Sequence, residues 1–154
     1  MRIYSWNVNG IRAVARKGFL DWIEEEQPDI LGLQEIRIQD DQLKKKLRNI
    51  DGYHSYFNFG EKKGYSGVAL YTKEEPVQVE NGLGMERFDR EGRVLKAEYP
   101  DFVLLNIYFP NGKRSKKRLN YKLDFYDEVL AHCEKLREQG KKVLVFGDYN
   151  TAHH

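Results

Sequence analysis

The chain has 154 residues, of which 40% are hydrophobic, and its formal charge at neutral pH is +2. This length allows one domain with a buried core and is too short for two, so we expect a single globular unit over residues 1–154. The small net charge excludes binding of a polyanion through overall charge, so any basic surface must be local.

Cysteine content and hydropathy indicate the cellular compartment. The single cysteine, Cys133, excludes an internal disulfide framework and suits a reducing compartment. No stretch approaches about 20 uninterrupted apolar residues, and the N-terminus has no long apolar segment of the signal-peptide type. We therefore expect a cytoplasmic protein with no membrane partner.

The first third of the chain predicts strands separated by a helix. Short apolar runs bounded by polar residues predict buried strands, and apolar residues three or four positions apart predict a helix. The predicted elements are a strand at 3–6, a helix from about 17 to 26 and a strand at 30–33. Asn7 follows the first strand, and Gln34 and Glu35 follow the second. A short helix capped by Asp40 comes next, with Leu43 and Leu47 inside.

The middle of the chain predicts antiparallel pairing. Alternating residues predict neighbouring strands at 53–59 and 68–72, joined by a polar glycine-containing loop. Residues 74–92 are charged and weakly patterned, which indicates a surface connection with one edge strand around 77–79. Two β-rich runs at 94–99 and 102–108 predict a hairpin that turns at Pro100 and Asp101.

The last third predicts a long helix and a final strand. The helix follows the basic cluster at 113–118 and ends at Gly140. Its predicted buried face consists of Leu119, Leu123, Tyr126, Val129, Leu130, Cys133 and Leu136. A strand at 143–146 then leads into Gly147, Asp148, Tyr149 and Asn150.

Four predicted strands end in polar residues, namely Asn7, Glu35, Tyr108 with Asn111, and Asp148 with Asn150. A single such ending is explained equally well as an ordinary turn, because Gly, Asp and Asn are turn formers. Strands separated by helices tend to run parallel, however, so we expect the four ends to meet along one sheet edge. Oxygen ligands and amides, without a Ser–His or Cys–His pattern or a phosphate-binding loop, suit Mg²⁺ beside a phosphate. The residues therefore predict phosphodiester hydrolysis.

Several segments also carry a resemblance to a known family. They are SWNVNGIRA at 5–13, LQE at 33–35, GYSGVA at 64–69, NIYFPNG at 106–112, RLNYKLDFY at 118–126 and GDYNTAH at 147–153. In this order they resemble the exonuclease III family of apurinic/apyrimidinic endonucleases. The resemblance implies an α/β fold, the N-terminal portion of a four-layer sandwich with two facing mixed sheets. It also implies cleavage of the DNA backbone 5′ to an abasic site with Mg²⁺, or Mn²⁺ as an alternative, and in many relatives trimming of 3′ ends.

The resemblance implies roles for individual residues. Glu35 resembles the metal-binding carboxylate, with Asn7 beside it, and Tyr108 the tyrosine near the scissile phosphate. Asp148 matches the aspartate that activates or orients the attacking water, and Asn150 matches its amide partner. The residues expected to bind the DNA substrate are Asn9, Arg12, Ala13, Lys17, Gly64, Tyr65 and Asn111. Backbone contacts of this kind suit a substrate recognised by a missing base.

Two features of the sequence leave alternatives open. Position 9 is Asn where some relatives carry Asp, and the basic cluster at 113–118 is either part of the DNA footprint or a solvated helix N-terminus. Family members also continue beyond residue 154, so the resemblance implies an incomplete domain at 1–154. His153 and His154 are not expected to replace the C-terminal histidine of the family.

Three functions follow from the sequence. The first is an abasic-site endonuclease and 3′ exonuclease acting on double-stranded DNA, weak or inactive without a C-terminal half. The second is a lipid or inositol phosphate phosphodiesterase, which Tyr65, Asn111 and the basic cluster disfavour. The third is a non-catalytic half-domain that binds DNA or self-associates. In that case we expect the inner faces of 94–108 and 143–146 to be exposed and to bind a missing half or a second copy of the chain.

Overall fold

The structure is a computed structural model, and it describes residues 1–149. Its strands are β1 Ile3–Asn7, β2 Ile30–Gln34, β3 His54–Asn58, β4 Val68–Thr72, β5 Gln78–Asn81, β6 Val94–Glu98, β7 Val103–Tyr108 and β8 Val143–Asp148. Its helices are α1 Ile11–Arg16, α2 Phe19–Glu26, α3 Lys45–Arg48, α4 Glu86–Asp89 and α5 Lys116–Glu138, with a 3₁₀ turn at Asp40–Gln42. No helix within residues 1–149 has the length and hydrophobicity needed to cross a membrane.

The first sheet has the strand order β1-β2-β4-β3. β1 and β2 are parallel because a helical crossover joins them, whereas β4 pairs with β2 and β3 in antiparallel fashion. β2 and β4 are buried at every position, as expected for central strands covered on both faces. Ile11, Phe19 and Ile23 of α1 and α2 cover the outer face of this sheet.

The second sheet has the strand order β5-β6-β7-β8. β6 and β7 form the predicted hairpin, and β5 is the predicted edge strand, displaced by one or two residues. β8 returns parallel to β7 after the long helix α5, which covers the outer face of the sheet. The helix therefore serves as the crossover that parallel pairing requires.

The two sheets pack against each other through their inner faces. Ile30, Val68 and Leu70 of the first sheet share a core with Leu95 and Leu104 of the second. The sheets approach closely at Gly32, where an added methyl group would lie 2.3 Å from Cε1 of Phe146. Helices outside and two sheets inside make four layers, which confirms the predicted fold class of an α/β sandwich with mixed sheets.

The expectation of exposed inner faces is wrong. Residues Val103–Tyr108 are buried at all six positions, because the first sheet of the same chain covers them. The edge strand β8 is partly open, with Leu144 39% exposed.

The predicted helix from about 17 to 26 corresponds to α2, and the separate short helix α1 that precedes it was not predicted. α1 ends at Arg16 and α2 begins at Phe19, and between them Gly18 adopts φ 97°, outside the helical region. Glycine takes this conformation at little cost. The six residues of α1 were too few to show a helical repeat in the sequence.

The predicted Asp40 cap is also wrong. Gln39 occupies the N-cap of the 3₁₀ turn and forms a capping box with Gln42, while Asp40 pairs with Arg48. Leu43 and Leu47 are buried, as predicted.

The buried face of α5 differs from the predicted one. Tyr121, Phe125, Val129 and Leu136 are buried, and Phe125 packs edge-to-face against Phe88 and Phe109. Leu119, Leu123 and Leu130, hereafter the leucine stripe, are 45%, 53% and 59% exposed. Both sets repeat at helical spacing. The set that contains Tyr121 and Phe125 faces the sheet because aromatic rings bury more area per residue than the side chains of the leucine stripe. Tyr126 and Cys133 lie half-buried at the border between the two sets.

Candidate active site

Four of the predicted site residues meet as two hydrogen-bonded pairs. The Tyr108 hydroxyl at the end of β7 donates to Glu35 Oε1, just after β2, at 2.7 Å. Asn7 Nδ2 at the end of β1 donates to Asp148 Oδ2 at the end of β8, at 2.6 Å. Each pair joins one sheet to the other. The strand ends were predicted to meet along the edge of one sheet, and the structure corrects this to the shared end of two facing sheets.

Strand register brings the pairs to the same end of the sandwich. Within the two parallel pairs, Asn7 lies opposite Gln34, and Tyr108 lies opposite Asp148. Parallel neighbours end at the same side, so all four carboxyl ends coincide. Gly147 permits the close approach of β8, because a Cβ at this position would lie 1.8 Å from the Ile107 carbonyl oxygen.

Glu35 has a left-handed backbone conformation, with φ 57°. A non-glycine residue in this region costs energy and persists only where the surroundings enforce it. Here the Glu35 carbonyl accepts a hydrogen bond from Gly10 N at 2.8 Å, and Ile36 N donates to Gly67 O at 3.1 Å. The turn directs the carboxylate toward Tyr108 and leaves its side chain 16% exposed.

The oxygens of this site fit a hard cation. Oε1 of Glu35 accepts from Tyr108 and, at 3.2 Å, from Arg37, whereas no residue within 1–149 donates a hydrogen bond to Oε2. The amide oxygen of Asn7 accepts from Asn9 N at 3.0 Å and holds the turn after β1. Carboxylate and amide oxygens are ligands that Mg²⁺ accepts together with several waters.

The described residues contain no group of three or more His, Cys, Asp or Glu side chains arranged to hold a metal. A cation at this site would therefore depend on Glu35 and water, with Asn7 as the second protein oxygen.

Tyr108 is a hydrogen-bond donor here, not a base. Burial is the largest cause that raises the pKa of its phenol, and the hydrogen bond to Glu35 and the charge of that carboxylate raise it further. The phenol therefore keeps its proton at physiological pH. It holds Glu35 Oε1 in place and directs Oε2 elsewhere.

A buried polar pair lies behind the site and was not predicted. Gln34 and Asn106 are 1% and 0% exposed, and Gln34 Nε2 donates to Asn106 Oδ1 across the sandwich at 2.9 Å. Asn106 Nδ2 donates in turn to the Ala69 carbonyl at 2.8 Å. The pair fixes the two sheets relative to each other beneath Glu35. The sequence shows only two polar residues within apolar strands, with no sign that they are partners.

A cavity of about 460 Å³ opens beside Glu35 and Tyr108. Three residues predicted to bind DNA, Gly64, Tyr65 and Asn111, line it. Its cationic lining consists of Arg37, Lys62, Arg93, Arg114 and Arg118. The basic cluster at 113–118 thus contributes Arg114 and Arg118 to the lining of the cavity.

The remaining predicted substrate residues lie outside this cavity. Arg12 and Lys17 are exposed on α1 and at its C-terminal end, and Ala13 is half-buried. Asn9 is exposed with φ 48°. α1 starts at the site because Ile11 N donates to the Ile36 carbonyl at 2.9 Å. Asn150, the predicted partner of Asp148, lies outside the described residues.

A second unpredicted group borders the cavity. Arg93 is only 2% exposed and donates to the Tyr65 hydroxyl, the Tyr108 carbonyl and Glu91 Oε1, at 2.7, 2.9 and 2.9 Å. No role was assigned to Arg93 from the sequence. The partners are distant in sequence, so no local pattern could have revealed them.

The chain is therefore a four-layer α/β sandwich with two carboxylates, a phenol and an amide grouped at one end of its two sheets. Residues 4–154 match the profile of the endonuclease/exonuclease/phosphatase family. The chain belongs to this family.

Two relatives and one solved structure show where the similarity lies. The chain is 43% identical to an exodeoxyribonuclease of Bacillus subtilis over 154 residues, and 43% identical to the DNA repair nuclease APEX1 of Danio rerio over 155. An AP endonuclease from Archaeoglobus fulgidus superposes with a TM-score of 0.85 at 29% identity.

These matches cover 99% of the chain in both sequence comparisons and 100% in the structural one. The chain spans only 60% of the Bacillus relative, 50% of the Danio relative and 59% of the Archaeoglobus structure.

Proposed function

We propose that this chain carries the phosphodiesterase centre of a Mg²⁺-dependent DNA repair nuclease. Such an enzyme would cleave the backbone at abasic sites and trim 3′ ends. The observation that carries the proposal is the pairing of Tyr108 with Glu35 and of Asn7 with Asp148 at one end of the sandwich. The identities with an exodeoxyribonuclease and with a DNA repair nuclease support the choice of substrate.

The geometry suggests a division of labour. Asn7 donates to Asp148 and orients its carboxylate, which would take a proton from the attacking water. The water oxygen bonds to phosphorus, the bond from phosphorus to the 3′ oxygen breaks, and solvent protonates the departing oxygen. Glu35, held by Tyr108, would bind Mg²⁺ through Oε2. When bound, Mg²⁺ supplies neutralisation of the charge on the phosphoryl oxygens.

The cavity wall favours a nucleic-acid backbone as the ligand. Its arginines and lysine supply positive charge beside Glu35, and Tyr65 and Asn111 add polar and aromatic contacts. Phosphate contacts of this kind position a duplex without reading its sequence. We infer that DNA is a better substrate than a phospholipid or an inositol phosphate, although the family includes phosphatases.

Cleavage assays test the proposal directly. The chain is incubated with a duplex that contains one abasic site, with and without Mg²⁺, and with an intact duplex and phospholipid vesicles as control substrates. Mg²⁺-dependent incision at the abasic site, lost in Asp148→Asn, is the expected result. Hydrolysis of the phospholipid alone would replace the proposal with the lipid alternative.

A second candidate function is a half-domain that binds a partner polypeptide. The exposed leucine stripe on α5 favours it, and so does the edge position of β1 and β8, each paired on one side only within residues 1–149. The partner would be a C-terminal half such as the longer relatives carry, or a second copy of the chain. DNA binding that weakens with salt, without Mg²⁺-dependent cleavage, would identify this non-catalytic role.

We also propose a cytoplasmic location. The thiol of Cys133, a residue of α5, is half-buried beside the core that this helix covers, and burial raises the pKa of the thiol. A thiol of this kind suits a reducing compartment.

A further inference from the structure

Arg93 occupies the centre of a buried network between the cavity and the catalytic pairs. Its side chain is 1% exposed, yet each nitrogen of its guanidinium donates a hydrogen bond. Nη2 donates to the Tyr65 hydroxyl, Nη1 to the Tyr108 carbonyl and Nε to Glu91 Oε1. Only a planar group with donors in several fixed directions can bind three such partners at once.

Aromatic rings complete the surroundings of Arg93. The Arg93 guanidinium carbon lies 4.9 Å from the centroid of the Tyr108 ring and 5.6 Å from that of Tyr65. These distances allow cation–π attraction, which strengthens when water is excluded. The Arg93 carbonyl also accepts from Tyr108 N at 2.9 Å. Tyr108 is therefore held at its backbone and its ring by one residue, while its hydroxyl holds Glu35.

The charges of the network do not cancel. Arg118, in the first turn of α5, binds the same Glu91 carboxylate with two hydrogen bonds of 3.1 Å and donates to the Tyr65 hydroxyl at 3.3 Å. Two guanidiniums thus share one carboxylate. A cation at a helix N-terminus opposes the helix dipole, and the bidentate contact with Glu91 explains why Arg118 is there.

Packing alone is a poor explanation for Arg93. A buried ion pair can often be replaced by apolar residues without loss of stability, because charges are costly to desolvate. Two of the three bonds of Arg93 instead end on residues assigned to function, Tyr65 in the substrate cavity and Tyr108 beside Glu35. Movement of the Tyr65 hydroxyl would shift the Arg93 guanidinium, which also donates to the Tyr108 carbonyl.

We propose that Arg93 is a positioning residue that couples the substrate-contacting loop at Tyr65 to the Tyr108–Glu35 pair. The inference rests on the proposed function. Although Arg93 borders the cavity, its side chain is 1% exposed and all three of its guanidinium nitrogens donate within the protein, so it acts through Tyr65 and Tyr108. Glu91, which Arg118 also binds, accepts from Nε of Arg93 and holds the guanidinium at the angle that makes both contacts.

A double-mutant cycle tests the coupling. Arg93→Lys keeps the positive charge but loses the planar guanidinium and its several fixed donors. The value of kcat/KM on an abasic-site duplex should therefore fall about tenfold, with kcat lowered and KM raised together. In a Tyr108→Phe background the same substitution should cost less than about twofold, since residues that act as a unit are not additive. Additive losses would overturn the proposal. Arg90→Lys, an exposed neighbour, is the matched control and should leave both constants unchanged.

Hydrogen exchange supplies a readout that needs no activity. In Arg93→Lys, amides at 62–66 and at 108–112 should exchange faster together, while β2 and β4 keep their protection. Acceleration in only one of the two segments, in neither, or throughout both sheets would overturn the coupling. If Arg93→Lys fails to fold, Tyr65→Phe removes the acceptor alone and should still accelerate exchange at 108–112. A wild-type chain that cleaves no abasic DNA would refute the proposed function, and the exchange data would still decide the coupling.

Discussion

Tyr108 and Glu35 belong to different sheets, yet the phenol oxygen of Tyr108 lies 2.7 Å from Oε1 of Glu35. The second hydrogen bond to the carboxylate, from Arg37, also falls on Oε1, so both side-chain bonds to Glu35 end on the same oxygen. A tyrosine of one sheet thus fixes the orientation of a carboxylate that follows a strand of the other. Backbone hydrogen bonds of Glu35 and Ile36 with Gly10 and Gly67 hold the left-handed turn that carries it.

Glu35→Gln should weaken Mg²⁺ binding at least about tenfold, the scale seen when metal-site residues are altered. The substitution keeps the side-chain shape and the acceptor for Tyr108 but removes the negative charge. Isothermal calorimetry measures the affinity, and Glu25→Gln, exposed on α2, is the control. Equal affinities in Glu35→Gln and wild type would remove Glu35 from the metal site.

Asp148→Asn should lower turnover by about two to four orders of magnitude, the usual contribution of a general base. Asp148 is half-buried at the edge of the sandwich, and an asparagine keeps an acceptor for Asn7. The melting temperature should therefore change by no more than a few degrees. A large drop in melting temperature with activity retained would mean that Asp148 serves the fold and not the chemistry.

Glu91→Gln should destabilise the protein by about 1.5–3 kcal/mol at neutral pH, the range for hydrogen bonds to charged groups. Burial disfavours the Glu91 carboxylate, but Arg118 and Arg93 outweigh it and lower the pKa of Glu91 below its ordinary value of 4.5. Its contribution is thus fully present above pH 4.5 and is lost as the pH falls through the lowered pKa. Urea unfolding at several pH values measures it.

The control for Glu91 is Glu61→Gln, because Glu61 is exposed. A stability gap between wild type and Glu91→Gln that stays constant from neutral pH to well below 4.5 would show that the carboxylate charge does not matter there.

Asn106→Leu should cost about 1–3 kcal/mol, because it leaves a donor of Gln34 buried without its partner. Gln34→Leu should cost a similar amount. Replacing both residues should cost clearly less than the sum, since removing the two amides together leaves neither of them buried without the other. Urea unfolding of the four proteins gives the coupling, and strict additivity would show that the two amides act independently.

The chain alone should self-associate at micromolar concentration through the leucine stripe and the edges of β1 and β8. A buried leucine contributes about 1.5–3 kcal/mol of hydrophobic stabilisation, so two or three of them support a weak dimer. Leu123→Glu with Leu130→Glu should shift the sedimentation profile to monomer, whereas Asn120→Glu on the same helix should not. A wild-type monomer that binds no hydrophobic dye would contradict this expectation.

Local patterns in the sequence were sufficient for most of the fold. Apolar runs and turn residues placed every strand to within about two residues, and the hairpin at Pro100 was correct in its pairing. Patterns at one spacing could not decide between two apolar sets on α5, because the outcome depends on which rings meet Phe88 and Phe109. That choice is made by tertiary packing and not by helical periodicity.

The candidate site was predictable only in part, for a related reason. Polar residues at strand ends are visible in sequence, so Asn7, Glu35, Tyr108 and Asp148 were found. Their partners could not be found in this way, since each pair joins residues 73 or 141 positions apart. Arg93 was missed because a buried arginine and a solvated one look alike until Tyr65 and Tyr108 are in place.

The close approach of the two sheets at Gly32 affects the position of Asp148 at the end of β8. Phe146 rests on Gly32 with no side chain between them, and Asp148 is two residues further along the same strand. A methyl group at position 32 would act as a wedge that lifts Phe146, and the strand would carry Asp148 away from Asn7. The position of the Asp148 carboxylate thus depends on the missing side chain at Gly32 in the opposite sheet, so a substitution far from Asp148 in sequence would separate it from Asn7.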